Sequence, residues 1–245
     1  MRRLLLVLPF ALVLPAVAHP DDATEVRDRA LKAFAKDPAD VKKMRVHTLK
    51  AKGITKIGPE PAPAIFESSA VWPGQVRFFW EFGAGATKSN ITIAGMDDRG
   101  WRKIGTGGVM DLNIEEQNDL RADSYAMWVS TLSTLSDTES KLAVAAPTKV
   151  NGDPVFALKV SRRSFPDITL YFDEKTGLLR KMAYRSREAG VTLNKEMIYD
   201  GHKDVKGLML PTKQSTTIQG REAFAWTEME YAFPEKIDAK VFEKP

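Results

Sequence analysis

The residues able to do nucleophilic, acid–base or metal chemistry are few and scattered in this chain. Cysteine is absent, and the three histidines are His19, His47 and His202. Without a thiol there is no cysteine nucleophile, and a metal set would lack soft sulfur ligands. His19 could offer copper an amine and a ring as a mature N-terminus. No second histidine stands near it, and Pro20 removes the next amide. His47 falls on a strand and His202 beside a turn, positions that suit structural or solvated rings. No Gly-x-Ser-x-Gly elbow occurs, so a serine triad has no anchor. Asp97-Asp98 and Glu115-Glu116 are adjacent pairs. Neighbours point apart on a strand and stand about 100° apart on a helix, so neither is an acid/base couple. Gly105-Thr106-Gly107-Gly108 lacks the Lys-Ser/Thr of a phosphate loop and the spacing of a dinucleotide site. The chain reads as non-enzymatic, with no cofactor and no metal.

Apolar side chains at strand spacing are the stronger signal. Phe78, Trp80 and Phe82 share one face of a strand, and Phe172, Tyr184, Tyr199, Phe224 and Trp226 fall on others. Met127 and Trp128 lie in the longest helical pattern. Strand aromatics of this kind are either ordinary core or the wall of an apolar cavity. Phe78, Trp80, Phe82, Met127, Trp128, Phe172, Tyr184 and Trp226 form the candidate ligand-binding set on the second reading. On the first they fill the space beneath the helices.

The elements that must position them repeat one logic, clearest from Val150 to Tyr184. Asn151-Gly152 is a type I′ turn signal, because both central residues need positive φ. Phe156, Leu158 and Val160 alternate with polar residues, as do Ile168, Leu170 and Phe172. Asp173 to Gly177 is a hairpin loop, and Leu178, Arg180, Met182 and Tyr184 follow it. Similar strands are predicted over 44–52, 64–71, 75–82, 89–96, 101–105 and 142–149. Others follow over 192–200, 210–219 and 222–233. Helices are predicted over 21–36, capped by Asp21, Asp22 or Thr24, and over 114–135, capped by Asn113. Ile237 to Phe242 reads as a short closing turn. About eleven strands in consecutive hairpins make an antiparallel sheet, and a sheet that large must curl or split. The fold class is mainly β, a strongly curved sheet or unclosed barrel. An N-terminal and a mid-chain helix cover its concave face.

Composition sets the address. The chain has 245 residues, 43% hydrophobic and 28% charged, which suits one domain. Arg2 and Arg3, the apolar run Leu4 to Leu14 and Ala16-Val17-Ala18 describe a secretory signal peptide over 1–18, cleaved after Ala18. Residues 19–245 then form one periplasmic or secreted domain. Losing Arg2 and Arg3 lowers the formal charge from +4 to +2, which gives no argument for nucleic acid. A chain exported without cysteine must hold itself together by its core.

Several runs resemble a known family. They are Val150-Asn151-Gly152-Asp153-Pro154-Val155, Leu170 to Leu179, Tyr199-Asp200-Gly201, Val205 to Pro211 and the ending Ile237 to Pro245. Together they look like secreted bacterial proteins similar in fold to the LolA/LolB outer-membrane lipoprotein-carrier superfamily. The motifs cover the chain from Val150 onward and consist of turn glycines and a chain-end signature. The resemblance implies an unclosed barrel with helices over its mouth. It implies a lipid, acyl chain or lipoprotein as ligand, with transient membrane contact. A monomer is expected. The alternative is an envelope interaction or regulatory module with a filled core and no ligand.

Overall fold

The computed structural model describes residues 22–96, 98–188 and 190–245. The signal-peptide reading, His19, and Asp21 and Asp97 lie outside the described residues. Helix α1 spans Ala23–Phe34 and is capped by Asp22, whose carboxylate accepts from the Thr24 amide at 2.9 Å. A 3-10 turn over Pro38–Arg45 follows. Met44 and Arg45 therefore belong to this turn and not to the first strand, because Asp37-Pro38 caps a new turn before the chain extends.

Fifteen strands are described. The N-terminal half gives β1 Val46–Thr55, β2 Ala62–Val71, β3 Gln75–Phe82, β4 Ser89–Met96, β5 Arg99–Ile104 and β6 Val109–Asp111. Helix α2, Ile114–Ser130, is inserted next. The chain then forms β7 Lys141–Val150, β8 Asp153–Ser161, β9 Ile168–Asp173, β10 Leu179–Glu188 and β11 Val191–Asp200. It ends in β12 Lys203–Val205, β13 Leu208–Leu210, β14 Lys213–Ile218 and β15 Arg221–Ala232. Thirteen strands build one antiparallel sheet in the order β6-β5-β4-β3-β2-β1-β15-β14-β11-β10-β9-β8-β7, while β12 and β13 pair alone. The edges β6 and β7 do not meet, so the sheet is curved and unclosed. Bulges at Lys52/Gly53, Ala145/Thr148, Leu179/Lys181 and Thr216/Thr217 help bend it.

The mainly-β reading with two covering helices holds. The chain has more strands than expected because β6, β12 and β13 are each three residues long. Such ladders are too short to show a period. The second helix stops at Ser130 rather than Leu135. Leu132 takes φ 59° and a 3-10 turn over Ser133–Ser136 follows, so buried Leu132 and Leu135 continue an apolar pattern but not a helix. Among the described residues no helix is long and apolar enough to cross a membrane.

The concave side has two halves. Over β8 and β9 it is filled: Val26, Ala30 and Phe34 of α1 share one buried cluster with Phe156, Leu158, Leu170 and Phe172. Gly177 allows this approach, since a Cβ there would lie 3.0 Å from Ala33 Cβ, and its φ is 74°. Over β15, β1, β2 and β3 the wall is a second apolar cluster of Leu49, Phe66, Phe78, Trp226 and Met229. At the chain end, Trp101 Nε1 donates to the Phe242 carbonyl at 2.9 Å and Phe242 is buried.

Candidate functional site

Helix α2 crosses the concave side and leaves a cavity of about 360 Å³ beneath it. That lies at the lower end of the range for small-molecule sites, about 300–1,000 Å³. Strand alternation supplies the wall. Leu49 and Ala51 of β1, Phe66 of β2, Phe78 and Trp80 of β3 and Trp226 of β15 all face it. Phe66 is the hub, with ring centroids 5.3 Å from Trp80, 6.0 Å from Trp226 and 6.1 Å from Phe78. The helix supplies the roof through Glu116, Leu120, Asp123, Met127 and Ser130, spaced three or four apart as one helical face requires. The roof sits close because β4 carries Gly95, where a Cβ would lie 2.8 Å from the Leu120 side chain. Its start is fixed by a capping box. Glu116 N donates to Asn113 Oδ1 at 3.0 Å, and Asn113 N donates to Glu116 Oε2 at 2.9 Å.

One polar cluster interrupts the apolar lining. Lys195 of β11 is buried, and its ammonium lies 2.7 Å from Asp123 Oδ2 and against Glu188 of β10. Tyr184 Oη donates to Asp123 Oδ1 at 3.0 Å. Burial alone would lower the Lys195 pKa, but the two carboxylates outweigh it and hold the ammonium above the ordinary lysine range. Burial first, then the Asp123 charge, pushes the Tyr184 phenol well above its ordinary value. Tyr184 therefore stays a neutral donor. A second tie joins roof to wall where Arg102 of β5 meets Glu116 at 2.8 Å. At the deep end His47 Nδ1 donates to the Met44 carbonyl at 2.8 Å, and its ring lies 6.3 Å from Trp72. Burial pulls the His47 pKa down despite that bond, and burial with the Arg180 charge does the same at His202.

Of the eight candidate residues, Phe78, Trp80, Met127, Tyr184 and Trp226 line the cavity. Phe82 does not; it stacks at 6.2 Å on Phe224, which does. Trp128 turns to the outside of α2, because adjacent helical residues stand about 100° apart and Met127 takes the inner position. Phe172 is 1% exposed in the filled half beneath α1, where no space is left. Sequence reasoning missed Lys195, Asp123, Glu188 and Arg102. The signal for Lys195 was present: a lysine in the inward register Leu193, Lys195, Met197, Tyr199. Among the described residues no three histidine or carboxylate side chains are placed to share a metal ion.

The overall fold is LolA-like. The chain aligns with a LolA superfamily protein from Nitrosomonas europaea at TM-score 0.55 and 12% identity, over 91% of this chain and 97% of that one. A DUF1329 family protein from Desulfovibrio piger aligns at TM-score 0.58 and 12% identity, over 91% and 98%. A domain described as outer-membrane lipoprotein-sorting, from Vibrio parahaemolyticus, aligns at TM-score 0.56 and 13% identity, over 90% and 97%. At such identities the likeness is one of fold. No family model and no curated protein matches the sequence.

Proposed function

We propose that this protein is a non-enzymatic binding or carrier protein for a long apolar ligand: an acyl chain on a lipid or on a lipidated peptide. The observation that carries the reading is the apolar cavity under α2, walled by Phe66, Phe78, Trp80 and Trp226 and roofed by Met127. An aliphatic chain suits that wall, each buried methylene contributing about 0.8 kcal/mol. Phe78, Trp80, Met127, Tyr184 and Trp226 are the proposed contacts. The polar cluster of Lys195, Asp123, Glu188 and Tyr184 fits the polar end of such a ligand. The same cluster ties the roof to the wall. The glycines at 105, 107 and 108 before α2, and the turn at Leu132 after it, suit a cover that moves. Export with cleavage after Ala18, a periplasmic or secreted location and a monomeric state complete the proposal.

The test is a titration of delipidated protein with a fluorescent fatty acid and with an acylated peptide. Binding at tens of micromolar or tighter is expected, about −6 kcal/mol or better. Trp80→Glu, which sets a charge in the wall, should abolish it. If neither probe binds, the carrier reading fails and a filled envelope module is the better account. Native mass spectrometry of protein taken from its own cell envelope would identify the ligand.

A further inference from the structure

The outer face of α2 forms the floor of a second recess of about 890 Å³, which shares only Trp72 and Leu120 with the inner cavity. Gln117, Arg121, Ser124, Tyr125 and Trp128 of α2 face this side. The helix thus presents a lining to both sides, which is why it carries no single apolar stripe. The charges differ across it. The inner lining holds Glu116, Asp119, Asp123 and Glu188 against Arg102 and Lys195. The outer recess holds five arginines and lysines against Asp98 and Glu139.

The outer recess is built rather than incidental. Its floor is aromatic: Trp72 stacks on Trp128 with centroids 6.4 Å apart, and Tyr125 lies 4.3 Å from Phe165. Two guanidiniums lie on that floor, Arg121 4.7 Å above Phe165 and Arg162 5.0 Å above Trp128. Arg162 is neutralised by Asp137 at 2.9 Å and by Glu139. Among the described residues, Arg121, Lys141 and Arg163 have no carboxylate within ion-pair distance. A guanidinium over a ring keeps N–H donors free for a carboxylate.

We propose that this recess is a docking site for an acidic peptide segment of a partner protein. Asp or Glu side chains of an extended chain would meet Arg121, Arg163 and Lys141, and an apolar side chain would rest on the Trp72–Trp128 stack. Cations and rings call for the same occupant, an anionic chain with apolar side chains. A flat bilayer would not reach a recessed floor. The site shares Trp72 and Leu120 with the inner cavity but does not rest on the carrier reading.

The experiment is fluorescence anisotropy of the full mature chain with a labelled peptide of alternating glutamate and phenylalanine. A lysine–phenylalanine peptide is the control, and vesicles of anionic phosphatidylglycerol form a third arm. The acidic peptide should bind and weaken with added salt. It should lose at least tenfold in affinity in the Arg121→Glu/Arg163→Glu variant, whose two positions are exposed and should fold normally. Fatty-acid binding in the same variant should be unchanged. The proposal is overturned if the acidic peptide does not bind at hundreds of micromolar. Equal binding of the basic peptide, or equal affinity of the double variant, also overturns it. Vesicle binding lost in the variant, without peptide binding, would replace it with membrane docking.

Discussion

Lys195 Nζ on β11 lies 2.7 Å from Asp123 Oδ2 on α2, so one buried ion pair joins the cavity's wall to its roof. The lysine side chain is 8% exposed and the aspartate 32%, so the penalty for breaking the pair falls mainly on the lysine. Asp123→Asn leaves Lys195 its second partner, Glu188, and should cost about 1–3 kcal/mol, the range for a charged hydrogen bond. Lys195→Met removes the buried charge itself and leaves two carboxylates that are 32% and 45% exposed, so it should cost no more than that, again about 1–3 kcal/mol. The double variant should lose less than the sum of the two, since the residues are in contact. Urea melts of all four proteins measure this, and strict additivity would show that roof and wall are uncoupled.

Trp80 stands between Arg77 and Glu81 on β3 yet faces the opposite way. It contacts Phe66 and Phe78 at 5.3 and 5.7 Å. It is half-buried on a cavity wall, so Trp80→Ala should cost somewhat less than the about 3–5 kcal/mol of a fully buried aromatic. Phe78→Ala, buried beside it, should reach that range. Glu81 only pairs with Lys88 at 2.8 Å, and Arg77 leans on Phe79 at 5.9 Å. Their alanine variants should stay within about 1 kcal/mol, as exposed pairs do. Equal losses at positions 77, 80 and 81 in denaturant melts would overturn the face assignment.

Most of the element order was legible because turn chemistry and period two agreed. Asn151 and Gly152 take φ 52° and 90°, as their turn signal requires. The end of α2 was illegible because burial of Leu132 and Leu135 mimics a helical stripe. The division between filled core and cavity was illegible for a related reason. Phe78 and Phe172 are the same residue type, each buried at an alternating strand position, and only what packs over them makes Phe172 core and Phe78 wall. That packing depends on long-range contacts that no local pattern records.

The position of α1 depends on Gly177, whose φ of 74° is open to glycine and strained for other residues. Gly177→Ala adds that strain, about 1–2 kcal/mol, to a methyl placed 3.0 Å from Ala33 Cβ and 3.3 Å from the Arg29 carbonyl. We expect a loss of about 2–3 kcal/mol in total, in line with overpacking. Gly152→Ala meets no atom within 4 Å and should cost only the strain. Thermal melts of the pair separate the two contributions, and a Gly152 variant as damaged as the Gly177 variant would remove α1 from the explanation.

Acidification should destabilise the fold through His47 and His202. Burial leads in holding both imidazoles below their ordinary range, so the folded state binds their protons more weakly than the unfolded chain does. Their stabilising contribution is full above the unfolded value, about 6.5, and is lost as pH falls through the folded values. The urea midpoint should be flat from about pH 8 to 7 and fall between about 6.5 and 5. His47→Gln should flatten part of that slope. A midpoint that rises on acidification would reject the assignment.

Met127 and Trp128 are neighbours in sequence but serve opposite sides of α2, and that division can be read in solution. Met127 lines the inner cavity, and Trp128 stacks on Trp72 in the outer recess. An acyl chain in the cavity would lie against the Met127 thioether. Met127→Gln replaces that contact with an amide that has no partner in the wall. Losing one or two methylene-sized contacts at about 0.8 kcal/mol each should weaken a fatty-acid probe by roughly four- to fifteenfold. Trp128→Leu keeps an apolar residue in place and should lower stability through the lost stack, while a folded sample binds the probe as before. Titrations of both variants below their melting transitions decide the matter. If Trp128→Leu weakens the probe as much as Met127→Gln does, the helix does not separate two sites. If neither does, the apolar ligand does not occupy the space beneath α2.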